Sequence, residues 1–224
     1  QSAVETALEV GYRHIDTARI YGNERGVGKG LAAAGLPRED VFVTTKVWND
    51  DHRTVRAAFE ASMERLGLDQ LDLYLIHWPV PRANTYVEAW RELLALRDEG
   101  RVRAVGVCNF HADHLLRLEA ETGELPTINQ IELHPYLQQA ELRAFHAERG
   151  IVTESWSPLA SGQQVLDDPV IGDDRGRARG HPRPGDHPVA PTARARRPAQ
   201  VGHPAPDRTE PRRLRLHPGR RPAG

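Results

Sequence analysis

Leu71-Asp72-Leu73-Tyr74-Leu75-Ile76-His77 is the stretch whose reading decides the fold. A short run rich in Leu, Tyr and Ile is the form of a parallel strand buried on both faces. Five other runs share it: Tyr12–Asp16, Val41–Val47, Ala104–Asn109, Ile128–Leu133 and Ile151–Trp156. Between them lie helical patterns. Thr54–Leu66 gathers Val55, Ala58, Phe59, Ser62, Met63 and Leu66 on one face, with Arg56, Glu60 and Glu64 opposite. Tyr86–Glu99 and Asp113–Thr122 read the same way, and Gln1–Val10 is helical up to Gly11, which suits a C-cap.

Strands alternating with helices define βαβ units and a parallel sheet, in a closed barrel or an open doubly wound form. The polar residues separate the two. Asp16, Lys46, His77, Asn109, Gln130 and Trp156 each fall at or near the C-terminal end of a different strand. In a barrel those ends converge on one mouth, where such proteins do chemistry. The expected fold is therefore α/β, a (β/α)8 barrel of the TIM type. About six of its eight strands are legible, over residues 1–171. A complete barrel typically needs about 250 residues, and this chain has 224.

The remainder is of another kind. Asp173–Gly224 holds thirteen Arg, ten Pro, five acidic residues and no Phe, Trp or Tyr. It cannot bury enough apolar surface to offset chain entropy, so residues 172–224 are expected to be a disordered tail. Its origin stays open between a native tail, a nucleic-acid-binding arm and GC-rich coding sequence read out of frame. The whole chain has a net charge of −1, which gives no reason to expect a nucleic-acid partner for the molecule. No apolar run approaches the roughly 18 residues of a membrane span. The one cysteine, Cys108, rules out an intramolecular disulfide and fits a reducing cytoplasm. His111, His114, His134 and His146 lack a tight ligand spacing, so no metal is expected. Gly22, Gly26, Gly28 and Gly30 follow no strand-turn-helix fingerprint and read as helix-start and packing glycines.

Asp16, Tyr21, Lys46 and His77 carry the chemistry. Singly, each has a plain explanation: a helix cap, a half-buried aromatic, a surface charge, a satisfied core histidine. Together they make a stronger case. A lysine and an aspartate at adjacent strand ends can pair inside an apolar mouth that would tolerate neither alone. The paired cation then lies where it can lower the pKa of a nearby tyrosine, making it a general acid for a carbonyl oxygen. A neutral His77 can donate a hydrogen bond to the same oxygen.

The motifs Gly11-Tyr12-Arg13-His14-Ile15-Asp16-Thr17-Ala18 and Ile20-Tyr21-Gly22-Asn23-Glu24 resemble the aldo-keto reductase signature. Thr44–Trp48, Leu73–Pro79, Gly106–Phe110, Asn129–Pro135 and Ser155–Leu159 match further family motifs in order, over about residues 1–171. The nearest flavour is the bacterial 2,5-diketo-D-gluconate reductase group. The resemblance implies NADPH-dependent reduction of an aldehyde or ketone, diketo sugar acids included, by a cytoplasmic and usually monomeric protein. It makes Tyr21 the proton donor, Lys46 and Asp16 the pair that tunes it, and His77 the orienting donor. Asn109 and Gln130 would hold the nicotinamide carboxamide with Cys108, which replaces the usual serine. Trp156 would stack on the ring, Ser157 and Leu159 would complete the cofactor contacts, and Trp48 and Trp78 would wall the substrate pocket. The family's first strand, last strand and Lys-Ser…Arg grip on the 2′-phosphate cannot be read here. An inactive truncated product and a non-catalytic cofactor-binding barrel are therefore the alternatives.

Overall fold

In the computed structural model, residues 1–160, 165 and 167–171 are described. The expected tail, residues 172–224, and its boundary lie outside the described residues. Helices and strands alternate throughout: α1 Ser2–Glu9, β1 His14–Asp16, α2 Glu24–Ala34, β2 Phe42–Val47, α3 Val55–Leu66 and β3 Leu71–Ile76. Then follow α4 Tyr86–Asp98, β4 Val102–Cys108, α5 Ala112–Thr122, β5 Ile128–Glu132, α6 Ala140–Arg149 and β6 Val152–Trp156. All five strand pairings are parallel, in the order β1-β2-β3-β4-β5-β6.

The alternation of side chains along each strand divides the sheet into two faces. Ile15, Val43, Val47, Tyr74, Ile76, Val105 and Val107 join Phe59, Trp90, Leu93 and Leu115 of the helices in the main core. The opposite face carries a smaller cluster of Leu73, Leu75 and Cys108, flanked by Phe42, Ala104 and Ile128. Every residue of β3 is buried, including Asp72. That charge is tolerated because its carboxylate accepts from Arg38, Arg103 and the Val43 amide.

The sheet is rolled. Neighbouring strands lie about 4.8 Å apart, so β1 and β5 of a flat sheet would stand about 19 Å from each other. Yet Gln130 Nε2 on β5 donates to Asp16 Oδ2 on β1 at 2.9 Å. Only a strongly curled sheet brings those two together. The smaller cluster is thus the filling of a partial barrel, and its strand ends share one mouth.

The observed elements follow the sequence pattern, with two additions. The glycine-containing segment after Tyr21 becomes α2, where Gly28 and Gly30 are packing positions. A Cβ on Gly28 would stand 2.3 Å from the Leu66 carbonyl oxygen, and one on Gly30 would stand 2.8 Å from Val4 Cβ. Helix α6 was not anticipated. Its sequence is rich in charge, and His146 is its one fully buried side chain.

Candidate active site

Lys46 sits at the mouth end of β2 with its side chain only 1% exposed. Its Nζ donates to an Asp16 carboxylate oxygen and, at 3.0 Å, to the Thr17 carbonyl. Burial is the strongest single influence and acts to strip its proton, but the charge and hydrogen bond of Asp16, with Cys108 and Tyr21, together outweigh it and hold the lysine above its ordinary pKa. The ammonium is fixed and permanent at neutral pH.

Tyr21 closes the 3-10 turn Arg19–Tyr21 that follows β1. It is half-exposed, with Lys46 Nζ 5.5 Å from its ring centre and His77 edge-on at 5.7 Å. Its pKa corrects the sequence expectation. Lys46 does pull the phenol down, but desolvation pushes it up more strongly and Asp16 adds to the push, so the net shift is upward. The carboxylate that keeps Lys46 charged also cancels part of that charge as felt at the phenol.

His77 follows β3 and is buried, with Trp48 edge-on at 5.2 Å. Desolvation, helped by Lys46, lowers its pKa to about 4, so the ring is neutral. Its Nδ1 is buried with no hydrogen-bond partner among the described residues. Its backbone oxygen accepts from Asn109 Nδ2 at 3.1 Å. Trp48 is half-buried beside it, and Trp78 is 41% exposed at the rim.

The remaining candidates form a second arc of the mouth. Asn109 and Ser157, directly after β4 and β6, both adopt left-handed backbone at φ 62° and 47°. Left-handed backbone is uncommon for residues other than glycine, with Asn among those that tolerate it best. Trp156 Nε1 donates to Asn109 Oδ1 at 2.9 Å, fastening the ends of β6 and β4 together. Cys108 is buried and contacts Gln130 Oε1 through Sγ at 3.7 Å, its pKa pushed well up by burial. Gln130 reaches from there to Asp16, joining this arc to the Lys46 pair. Leu159 is half-buried in the turn beyond Ser157. Contacts thus link Asp16, Tyr21, Lys46, Trp48, His77, Cys108, Asn109, Gln130 and Trp156 into one continuous set, and Trp78, Ser157 and Leu159 adjoin them in sequence.

The sequence reading missed Glu154. It pairs in register with Gln130, and burial together with Asp16 raises its pKa. Parity alone could have found it, since Val152, Glu154 and Trp156 must share one face. The reading also missed the ion pair between Arg19 and Asp51, a long-range contact with no local sequence signal. No group of three or more His, Cys, Asp or Glu among the described residues could hold a metal ion. No helix among them is long and apolar enough to cross a membrane.

The sequence that builds this mouth matches the family described as Aldo/keto reductase over residues 1–177, and the chain belongs to that family. It is 58% identical over 170 residues to the methylglyoxal reductase DkgA of Yersinia pestis, covering 75% of this chain and 61% of that protein. The chain thus spans about three fifths of that relative's length. The crystal structure of an aldo/keto reductase from Brucella melitensis is similar at 50% identity and a TM-score of 0.74, covering 79% of this chain and 68% of that one. A Gox0644 mutant solved in complex with NADPH is similar at 46% identity and a TM-score of 0.75, covering 79% of this chain and 64% of that one.

Proposed function

We propose that this chain carries the centre for reducing an aldehyde or ketone with NADPH, and that Tyr21 delivers the proton. The observation that carries the reading is a buried lysine, paired with Asp16, whose ammonium lies 5.5 Å from the centre of a half-exposed tyrosine ring. Burying a lysine at the mouth of a barrel is costly, and here the cation faces a group that can lose a proton. A carbonyl oxygen that becomes an alkoxide needs an acid beside it. The raised pKa keeps Tyr21 protonated at neutral pH, and Lys46 favours the phenolate once the proton has gone.

His77 stays neutral above about pH 4 and donates to the same oxygen. With Nδ1 buried and unpartnered, the useful donor is Nε2–H. Trp48 and Trp78 supply apolar walls for a small substrate.

The second arc has the donor set a nicotinamide requires. Asn109 keeps a second amide hydrogen, and the side-chain oxygens of Asn109 and Gln130 keep second lone pairs beyond their internal bonds. Those groups would hold the carboxamide, Trp156 would offer a flat face to the ring, and Ser157 and Leu159 would flank it. When bound, the reduced cofactor supplies the hydride. The NADPH complex of the Gox0644 mutant supports this choice of cofactor. The name of the Yersinia relative supports a small dicarbonyl such as methylglyoxal as substrate, with diketo sugar acids in the same class. We further propose a cytoplasmic monomer.

The test is NADPH oxidation with methylglyoxal by the purified chain. Tyr21→Phe is expected to lower kcat by roughly 100-fold or more with NADPH binding and circular dichroism unchanged. Equal turnover in the variant would sink the assignment of Tyr21. NADPH binding without turnover in the unmodified chain would favour a non-catalytic barrel.

A further inference from the structure

We infer that Arg19 and Asp51 form a positioning pair that holds Tyr21 in register with His77. This inference rests on the reading of Tyr21 as the acid, and deepens it. Tyr21 stands on a single 3-10 turn closed by Tyr21 N–H to the Ala18 carbonyl at 3.0 Å and Gly22 N–H to the Arg19 carbonyl at 3.2 Å. One turn of that kind is a weak platform for a half-exposed aromatic.

Arg19, the first residue of the turn, supplies the tether. Its Nε lies 2.8 Å from Asp51 Oδ2, with side-chain exposures of 39% and 16%. Asp51 closes the turn Asn49–Asp51, and its amide donates to the Trp48 carbonyl at 3.0 Å. Trp48 and Tyr21 both make edge-on ring contacts with His77. The ion pair therefore closes a ring of contacts: Tyr21, its turn, Arg19, Asp51, the second turn, Trp48, His77, and back to Tyr21. Other anchors act beside it: Ala18 is fully buried, and Thr17 Oγ1 donates to Asn23 Oδ1 at 2.6 Å.

The pair's own strength is modest. It is partly exposed, and Asp51 Oδ2 accepts no well-aligned hydrogen bond despite the close approach. Its effect is leverage rather than bulk stability, because small displacements of a catalytic group cost far more in rate than in fold.

The test incorporates fluorotyrosine into the full chain, assigns the Tyr21 resonance as the one lost in Tyr21→Phe, and follows it by 19F NMR. In Asp51→Asn and in Arg19→Gln that resonance is expected to move toward the free fluorotyrosine position, while the other four stay in place. The reversed pair, Arg19→Asp with Asp51→Arg, is expected to bring it back. Turnover should fall roughly threefold to tenfold in each single variant and recover in the reversed pair, with NADPH affinity unchanged throughout. An unmoved Tyr21 resonance in both single variants overturns the inference. A moved resonance together with full turnover in Tyr21→Phe would instead overturn the role of Tyr21 while leaving the tether standing.

Discussion

Lys46 keeps its charge at 1% exposure because Asp16 and the Thr17 carbonyl replace the water it has lost. Asp16→Asn leaves an uncompensated buried ammonium and should damage the centre more than the loss of one contact implies, whereas Lys46→Met leaves Asp16 partly exposed and still bonded to Gln130. Cys108 is a gentler case. Its thiol touches Gln130 Oε1 at 3.7 Å from a fully buried position. Cys108→Ser supplies a stronger donor at similar volume, and it is expected to change NADPH affinity by no more than about threefold in a fluorescence titration. A tenfold change would mean that this residue governs the amide of Gln130. Asp16, Lys46 and His77 were legible in sequence because strand ends of a parallel barrel converge, which is a rule of topology. The direction of the Tyr21 shift was not legible. It depends on how desolvation and Asp16 weigh against Lys46, and those magnitudes exist only once the chain has folded. Asp16 read as the partner that sharpens the acid, and it turns out also to blunt it.

Among the elements, α2 shows how one helix discriminates between its glycines. At Gly28 an added Cβ would meet the Leu66 backbone at 2.3 Å, whereas at Gly26 the nearest atom is the Gln1 nitrogen at an ordinary 3.5 Å. Gly28→Ala should therefore force α2 and α3 apart and destabilise the chain by about 1–3 kcal/mol. Gly26→Ala should stabilise it by up to about 1 kcal/mol through helix propensity. Urea unfolding of the two variants checks both signs, and matching shifts would refute the packing argument. The amphipathic α3 and α4 were legible because they bury apolar faces. Helix α6 was not, because its apolar contribution is small, with Leu142 and Phe145 only partly buried against the main core, and polar bonds add to its attachment. The His146 ring bridges Asn129 Nδ2 at 3.0 Å and Thr153 Oγ1 at 2.8 Å, joining the helix to β5 and β6. Two large apolar residues in a ten-residue stretch give only a weak periodicity to announce such an element.

For the whole molecule, three buried histidines set the response to acid. His52, His77 and His146 each have a pKa lowered to about 4, chiefly by desolvation. In the unfolded chain each would titrate near 6.5. Between those values the unfolded state binds more protons, so stability is full above about pH 6.5 and falls as the pH drops toward 4. The loss at pH 5 should be on the order of 1–2 kcal/mol per histidine. Thermal melts from pH 7.5 to 4.5 test this, and His146→Gln should flatten part of the slope. The six strand segments and their parallel character were legible, whereas the rolling of the sheet was inferred from chemistry at the strand ends and is realised physically in the bond from Gln130 to Asp16. That bond also dictates an order of events. Each strand pairs with its neighbour across a short loop and one helix, but Gln130 and Asp16 stand 114 residues apart in the chain. Contacts of such separation form late, after the local βαβ units have condensed. In refolding, the mouth should therefore be the last region to mature, and a burst of native-like circular dichroism should precede the recovery of NADPH binding.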